Sequence, residues 1–587
     1  MTDYTLSRWQ LDDLFASPQE ALAALDDLDR QVAQLETWRD RLQADMPPAT
    51  FRAFLEQMEA AIRLAERIYG YAHLRFSENT QDEEIQNLLG LMRQKMAQLE
   101  NRLLFFDLWW KALPDEDAAR LLAEAGDYRY YLEKMRLYRP HTLSEAEEKV
   151  INLKDVSGVM ALITLYSAIT NRYTFEIEVD GEVKELTRGE LMVYVRHHDP
   201  DMRAAAYQAL YRVYQADSNI LGQIYQNRVR DWYNENVLLR KFSSPIAVRN
   251  LANHLPDQVV ETLLETVQAN AGVFRRFFRL KAQRLGMARL RRYDIYAPVA
   301  RADKKYDFSQ AVRMVLQAYR RFDPQLAALA ERVLQEKHLD SEVRKGKSSG
   351  AFCSTITPDL TPWVLVNYQG RADDIATLAH ELGHAIHSML AAHHTVFTQH
   401  AILPLAETAS TFGEMLLVDM LLEQETDPEV RRDLLFRQMD DNYATILRQA
   451  YFALFEKQAH DMVQQGASVG DLAAAYLENL RDQFGDAVAL SDEFRWEWIA
   501  IPHIYHAPFY VYAYAFGQLL VLALYQQYQR EGRAFVPRYL RLLAAGGSQP
   551  PMQILREAGV DVTQAAFWQG GFDLLSRWVE QLEEEAA

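Results

Sequence analysis

Apolar residues returning every three or four positions dominate this chain, and that period leaves room for little except helices. Ser17-Pro18-Gln19-Glu20 opens the first one. Serine can cap, proline suits the first helical position, and a glutamate three residues after the cap completes a capping box. Leu25, Leu28, Val32, Leu35 and Leu42 then recur at helical spacing until Pro47-Pro48 ends the run. Two more long helices are expected, from about Thr50 to Arg75 and from about Asp82 to Leu108. Their short connections point to antiparallel neighbours.

Two-residue alternation occurs in few places. Between Tyr173 and Thr187, Phe175, Ile177 and Val179 alternate with acids before the tight turn Asp180-Gly181, which predicts a hairpin. Ala351 to Ile356 and Trp363 to Tyr368 read as strands, preceded by a flexible basic loop from Lys345 to Gly350. From Asp373 the pattern is helical almost to the end. The expected fold is mostly α with a small β-sheet. Residues 1–190 are expected as an N-terminal lobe and 191–587 as a second, larger body.

Charge narrows the partners. The chain has 63 Lys and Arg against 82 Asp and Glu, a net −19. Nucleic acid and anionic membrane surfaces both need a basic face, so both are excluded as expected partners. Cys353 is the single cysteine, so no internal disulfide can form and nothing signals an oxidising compartment. MTDYTLSRWQ lacks the pattern of a signal peptide. The late apolar run Ala513 to Tyr525 is interrupted by Gln518 and too short to span a bilayer. A cytoplasmic protein is expected; the oligomeric state is not legible.

The chemistry sits in Ile375 to Leu390, IATLAHELGHAIHSML. His380-Glu381-Leu382-Gly383-His384 is an H-E-x-x-H match. Histidines four apart lie on one helix face, so both rings can reach one metal, with Glu381 beside the position of a bound water. With 15 histidines in the chain and Glu at roughly 7%, chance alone would supply about 0.03 such matches. One zinc ion is therefore expected. His387 is two turns from His380, too far to share that ion, and is expected to support the site or pack beside it. A metzincin extension would need Gly at 387 and His at 390; the chain has His387 and Leu390.

A third ligand must come from elsewhere. Leu405 to Glu414 offers Glu407 and Glu414, seven apart on one face of an otherwise apolar helix. Glu407 is the expected ligand, and Glu414 the acid that orients a histidine. Farther on, Trp498 to Gly517 carries His503, Tyr505, Tyr510, Tyr512 and Tyr514. Tyr and His can donate hydrogen bonds to an oxyanion, although aromatic stripes at helical spacing are also ordinary core.

These residues together resemble the oligoendopeptidase F group of the M3 (thimet oligopeptidase-like) zinc metallopeptidases. The resemblance is carried by SGAFCSTI, PWVLVNYQG, TLAHELGHAIHS, AETASTFGE and PHIYHAPFYVYAYAFG, in that order. It implies an elongated two-lobed helical fold around a deep channel, and a zinc-dependent endopeptidase acting on short peptides. It implies His380, His384 and Glu407 as ligands and Glu381 as base. His503, Tyr505 and Tyr512 are implied as the downstream donors, with Tyr510 or Tyr514 as alternatives. It also implies that Gly350, Ala351 and Phe352, or the PWVLVNYQG strand, hold the substrate backbone by strand addition. The competing readings are an exo-acting zinc peptidase of dipeptidyl carboxypeptidase type and a non-catalytic peptide-binding scaffold.

Overall fold

The computed structural model describes residues 3–299 and 305–584. The chain is helical with a few short strands. It forms two compact units. One contains Met1–Arg139, Asp303–Gln424 and Gln527–Asp561, and the other Pro140–Ala302, Glu425–Gln526 and Val562–Ala587. The division therefore does not fall at residue 190. Each unit draws on three stretches far apart in sequence, and chain order alone cannot show which helices share a core.

In the first unit, helix α1 (Pro18–Glu36) starts where Ser17 Oγ accepts from the Glu20 N–H, and the Glu20 carboxylate reaches back to the Ala16 N–H. Helix α2 (Pro48–Glu78) begins on proline, and α3 (Glu83–Ala112) on Asp82, whose carboxylate accepts from two backbone N–H groups. The three helices pack on one another. Phe51 stacks on Trp110 at 5.3 Å, and the buried Trp110 indole donates to the Leu132 carbonyl.

The same core takes in Ile356 and, from a small sheet, Trp363 and Leu365. Strand β1 (Leu339–Asp340) runs parallel to β3 (Trp363–Leu365), and β2 (Phe352–Ser354) pairs antiparallel with the other side of β3. The order β1-β3-β2 leaves β2 at the edge. The loop before β2, expected to be flexible and basic, is anchored. The Lys347 side chain is fully buried, with Nζ 2.8 Å from Asp340 Oδ1 and donating to the carbonyls of Glu342 and Val366. A buried ammonium is tolerated only when paired in this way.

Helix α4 (Phe308–Phe322) packs against α5 (Ala372–Leu390) and α6 (Thr408–Gln424). The Tyr319 hydroxyl of α4 donates to the Ala379 carbonyl at 2.6 Å. Helix α5 begins at Ala372, one residue before the Asp373 at which the helical pattern was expected to start. Arg371 is the cap residue, and Asp374 accepts from the Gln369 and Arg371 N–H groups.

In the second unit, the hairpin Phe175–Val179/Glu182–Leu186 turns through Asp180 (φ 55°) and Gly181 (φ 82°). Two successive left-handed residues match the right-handed twist of the strands. Phe175, Ile177 and Val179 are buried, and this strand packs on the helix Pro200–Ala216. Among the described residues, one stretch, Glu145–Asn171, is long and apolar enough by composition to cross a membrane. Gly158 breaks it into two helices, and Val150, Leu153 and Val156 stand exposed on it.

Candidate metal centre

Helix α5 presents His380 and His384 on one face, with their Nε2 atoms 3.2 Å apart. Glu407 lies just after the short helix Leu403–Ala406, immediately before α6. Its Oε2 is 3.3 Å from His380 Nε2 and 3.4 Å from His384 Nε2. The three donor atoms form a nearly equilateral triangle. Ligands about 2.0–2.1 Å from a tetrahedral ion lie about 3.3 Å from one another. The triangle therefore fits one face of a zinc coordination tetrahedron, and two imidazoles with one carboxylate are a hydrolytic zinc donor set.

The charges agree. Burial opposes a proton on His380, but its hydrogen bonds to Glu407 and Glu414 outweigh it and hold the imidazole up at about 10. Burial likewise works against ionised Glu407, yet His380 and His384 keep its carboxyl well below the usual range. The two shifts are one pair seen from both sides, and they keep Glu407 ionised, the form in which a carboxylate binds a metal. Glu414, on α6, accepts from His380 Nδ1. That bond leaves Nε2 as the metal-facing nitrogen.

Helix contacts set this geometry. Gly383 lies on the face of α5 against α6, where a methyl group would stand 2.6 Å from Ser410 Cα. Gly413 of α6 leaves room for the Tyr319 ring. The His387 ring is buried in hydrogen-bond contact with the Ala406 backbone, one residue before Glu407. Burial pulls its pKa down to about 4, so it stays neutral.

Beside the triangle is a cavity of about 560 Å³. Glu381, only 7% exposed, lines it, and burial raises its carboxyl above the usual value. Ala351 and Phe352 line the same cavity from the free edge of β2. Gly350 stands just outside at φ 82°, its carbonyl accepting from Asn367 Nδ2. The Cys353 thiol also faces this cavity. Burial, reinforced by the charge of Glu381, pushes its pKa far up, so it is held as the unreactive thiol.

The downstream cluster belongs to the second unit and divides in two. Tyr505 is fully buried, stacked on Tyr166 at 3.9 Å, with its hydroxyl donating to the Leu221 carbonyl. Tyr512 is fully buried, and its hydroxyl accepts from Asn253 Nδ2 at 2.8 Å. Both hydroxyls are thus engaged inside the core of their unit, which is the packing role open to any aromatic stripe. His503 is exposed and Tyr510 and Tyr514 are half-buried. These three rings contact one another, Tyr510 lying parallel to His503 and Tyr514 edge-on.

Several contributors carried no chemical motif. Thr355 and Ser388 share a hydrogen bond of 2.6 Å across the cavity lining, and Gln399 and His400 line it too. The backbone of 399–400 is approached by Gly546-Gly547, where added methyl groups would meet the Gln399 and His400 carbonyl oxygens. The paired glycines were the only sequence signal of that approach.

This site and fold define a metallopeptidase. Residues 193–574 match peptidase family M3, and residues 109–175 match Oligopeptidase F; the chain belongs to peptidase family M3. Oligopeptidase PepF of Bacillus subtilis is 27% identical over 98% of this chain and 87% of its own length. Group B oligopeptidase PepB of Streptococcus agalactiae is 28% identical over 91% of this chain and 90% of its own. The same fold is seen in the crystal structure of a Chlamydophila abortus protein (TM-score 0.89, 24% identity, 98% of each chain). It is seen again in oligoendopeptidase-F from Enterococcus faecium (TM-score 0.73, 24% identity, 98% of this chain and 99% of that one).

Proposed function

We propose that this metallopeptidase is a zinc-dependent endopeptidase that hydrolyses internal bonds of short oligopeptides. The observation that carries the reading is the triangle of His380, His384 and Glu407 with the buried Glu381 carboxylate beside it. A zinc ion held by those three residues would polarise a scissile carbonyl and acidify a water. Glu381 takes the proton from the attacking water and delivers it to the leaving amine. Glu414 keeps the His380 ring in one tautomer throughout.

The free edge of β2 supports an extended substrate. Its unpaired backbone groups can add a peptide as a further strand, which fixes the chain while leaving side chains largely unspecified. Endo action on short peptides follows if register is set by backbone pairing rather than by capture of a terminus. The absence of cysteine pairs supports a cytoplasmic setting for this activity.

The test is digestion of a peptide library of graded length, half of it blocked at both termini, with product masses, metal analysis and a chelator control. Internal cleavage of blocked short peptides, lost on chelation and restored by zinc, is the expected result. Cleavage confined to peptides with a free terminus would overturn the endo reading. Cleavage unaffected by chelation would overturn the metal.

A further inference from the structure

Among the described residues, five that are not glycine have a left-handed backbone. Asp180 sits in the hairpin turn, and Lys241, His254 and Lys337 each follow the cap of a helix, where that conformation is ordinary. Phe509, at φ 58°, fits neither case. A bulky side chain there is an outlier. Phe509 is the third residue of the turn Ala507-Pro508-Phe509-Tyr510, closed by the Tyr510 N–H donating to the Ala507 carbonyl at 3.1 Å. With proline second, a positive φ at the third position calls for glycine.

The middle peptide of this turn is clamped from both sides. Arg249 Nε donates to the Pro508 carbonyl at 3.3 Å, and Glu456 Oε1 accepts from the Phe509 N–H at 3.0 Å. Flipping that peptide would bring Phe509 back to negative φ and break both bonds. Glu456 and His460 lie one turn apart on the helix Arg448–Gln464, both buried, and the His460 ring packs 4.7 Å from the Phe509 ring. One helix face therefore holds both the backbone and the side chain of Phe509. The other oxygen of Glu456, Oε2, is buried with no hydrogen-bond partner among the described residues. A buried acid with so little to satisfy it is costly, and so is a left-handed phenylalanine. The two costs meet in a single hydrogen bond.

The residue that follows gains from them. Tyr510 is half-buried, its ring parallel to the exposed His503 at 6.1 Å and edge-on to Tyr514 at 5.4 Å. The chain is anchored on both sides of the turn: Arg228 Nε donates to the Tyr505 carbonyl, and Asn253 donates to the Tyr512 hydroxyl. Between those anchors, the orientation of the middle peptide aims Tyr510. We propose that Glu456 is a positioning residue for peptide hydrolysis: through the Phe509 N–H it holds the left-handed turn that sets Tyr510 beside His503. This rests on the peptidase reading above, with Tyr510 as the donor to the oxyanion.

The test measures kcat, KM, zinc content and Tm for Glu456→Met, Arg249→Met, Glu456→Gln and Tyr510→Phe, and for Glu456→Met combined with Tyr510→Phe. Glu456→Met keeps the length of the side chain but removes the acceptor. It should lower kcat by about 10- to 100-fold, the effect of displacing a reacting group by about 1 Å, with KM and zinc content unchanged. Arg249→Met frees the other side of the same peptide and should do likewise, which keeps the proposal open to refutation if Glu456→Met folds poorly. Glu456→Gln retains an oxygen that accepts and should recover most of the loss. In the Tyr510→Phe background, Glu456→Met should cost nothing further, because it acts through a hydroxyl already gone. Losses that multiply, or a loss confined to Tm, would overturn the proposal. A slow Tyr510→Phe beside a fully active Glu456→Met would overturn it alone. A parent that cleaves no peptide, or a Tyr510→Phe with full kcat, would overturn the reading beneath it as well.

Discussion

Gly383 of the metal helix touches the backbone of Ser410: a methyl group on the glycine would stand 2.6 Å from Ser410 Cα and 2.7 Å from the Ala409 carbonyl oxygen. The helix bearing His380 and His384 is therefore held at backbone contact with the helix that follows Glu407. Gly383→Ala must push the two apart, and the histidines move away from the carboxylate. Overpacking of this kind costs about 1–3 kcal/mol. Zinc content and Tm should both fall, and restoring activity should need excess zinc. Unchanged zinc affinity would show that the helices can slide without opening the triangle.

Glu381 is not one of the three residues of the triangle, so its removal should separate chemistry from metal binding. Glu381→Gln keeps the shape but cannot take a proton. Turnover should drop by at least about 10²-fold while zinc content stays at one ion per chain. Parallel kinetic and metal measurements check this, and full activity would sink the assignment of the base.

Glu407 and Glu414 should differ in kind. Glu407 offers its oxygen to the shared position, whereas Glu414 acts through His380 Nδ1. Glu407→Gln should lose most of the bound zinc. Glu414→Gln should weaken affinity by about 10- to 100-fold, the range for a residue that orients a ligand. Competition against a chelator of known affinity ranks the two; equal losses would mean that the roles are misassigned.

The tyrosines of the second unit give a split prediction. Tyr505→Phe removes a buried hydrogen bond and should lower stability by about 1 kcal/mol with kcat unchanged. Tyr510 is half-buried on the exposed His503 ring. If this segment supplies the oxyanion donor, as the M3 resemblance implies, Tyr510→Phe should lower kcat by about 10²–10³-fold with little effect on Tm. The reverse pattern, with Tyr505 controlling kcat, would return the chemistry to the buried ring.

A pH effect follows from Glu456, which is fully buried and accepts from the Phe509 N–H. Burial pushes its pKa from 4.5 up to about 8, despite the opposing Phe509 bond and arginine charges. The folded state therefore binds the extra proton between those values. Stability from this group is fully present below pH 4.5 and is lost as pH rises through about 8. Glu456→Gln cannot ionise and should lose less stability than the parent between pH 6.5 and 9. His460, depressed to about 3 by burial, acts in the opposite direction only below 6.5 and so does not confuse that window. Identical pH profiles of Tm would refute the shift.

Much of the local structure was legible because it is enforced locally. Ser17, Asp82 and the Asp180-Gly181 turn act through their own backbones, and the structure shows each at the expected boundary. The loop at 345–350 misled for the opposite reason. Its Lys347 looks like a surface charge until Asp340, seven residues earlier, is folded over it. Tyr505 and Tyr512 were likewise indistinguishable in sequence from Tyr510 and Tyr514. Their spacing is helical, but which face meets the core depends on partners such as Tyr166 and Asn253, hundreds of residues away.

The sequence by itself determined the helical class, the H-E-x-x-H helix and the choice of chemistry, because a 3.6-residue period and a four-residue ligand spacing are properties of one continuous segment. Only the tertiary structure decided the rest. It brought Glu407 within 3.4 Å of both histidine nitrogens through the bare contact at Gly383, left β2 as a free edge, and interleaved distant segments into two units. Those outcomes depend on packing between residues far apart in the chain, where shape and burial rather than local periodicity set the free energy.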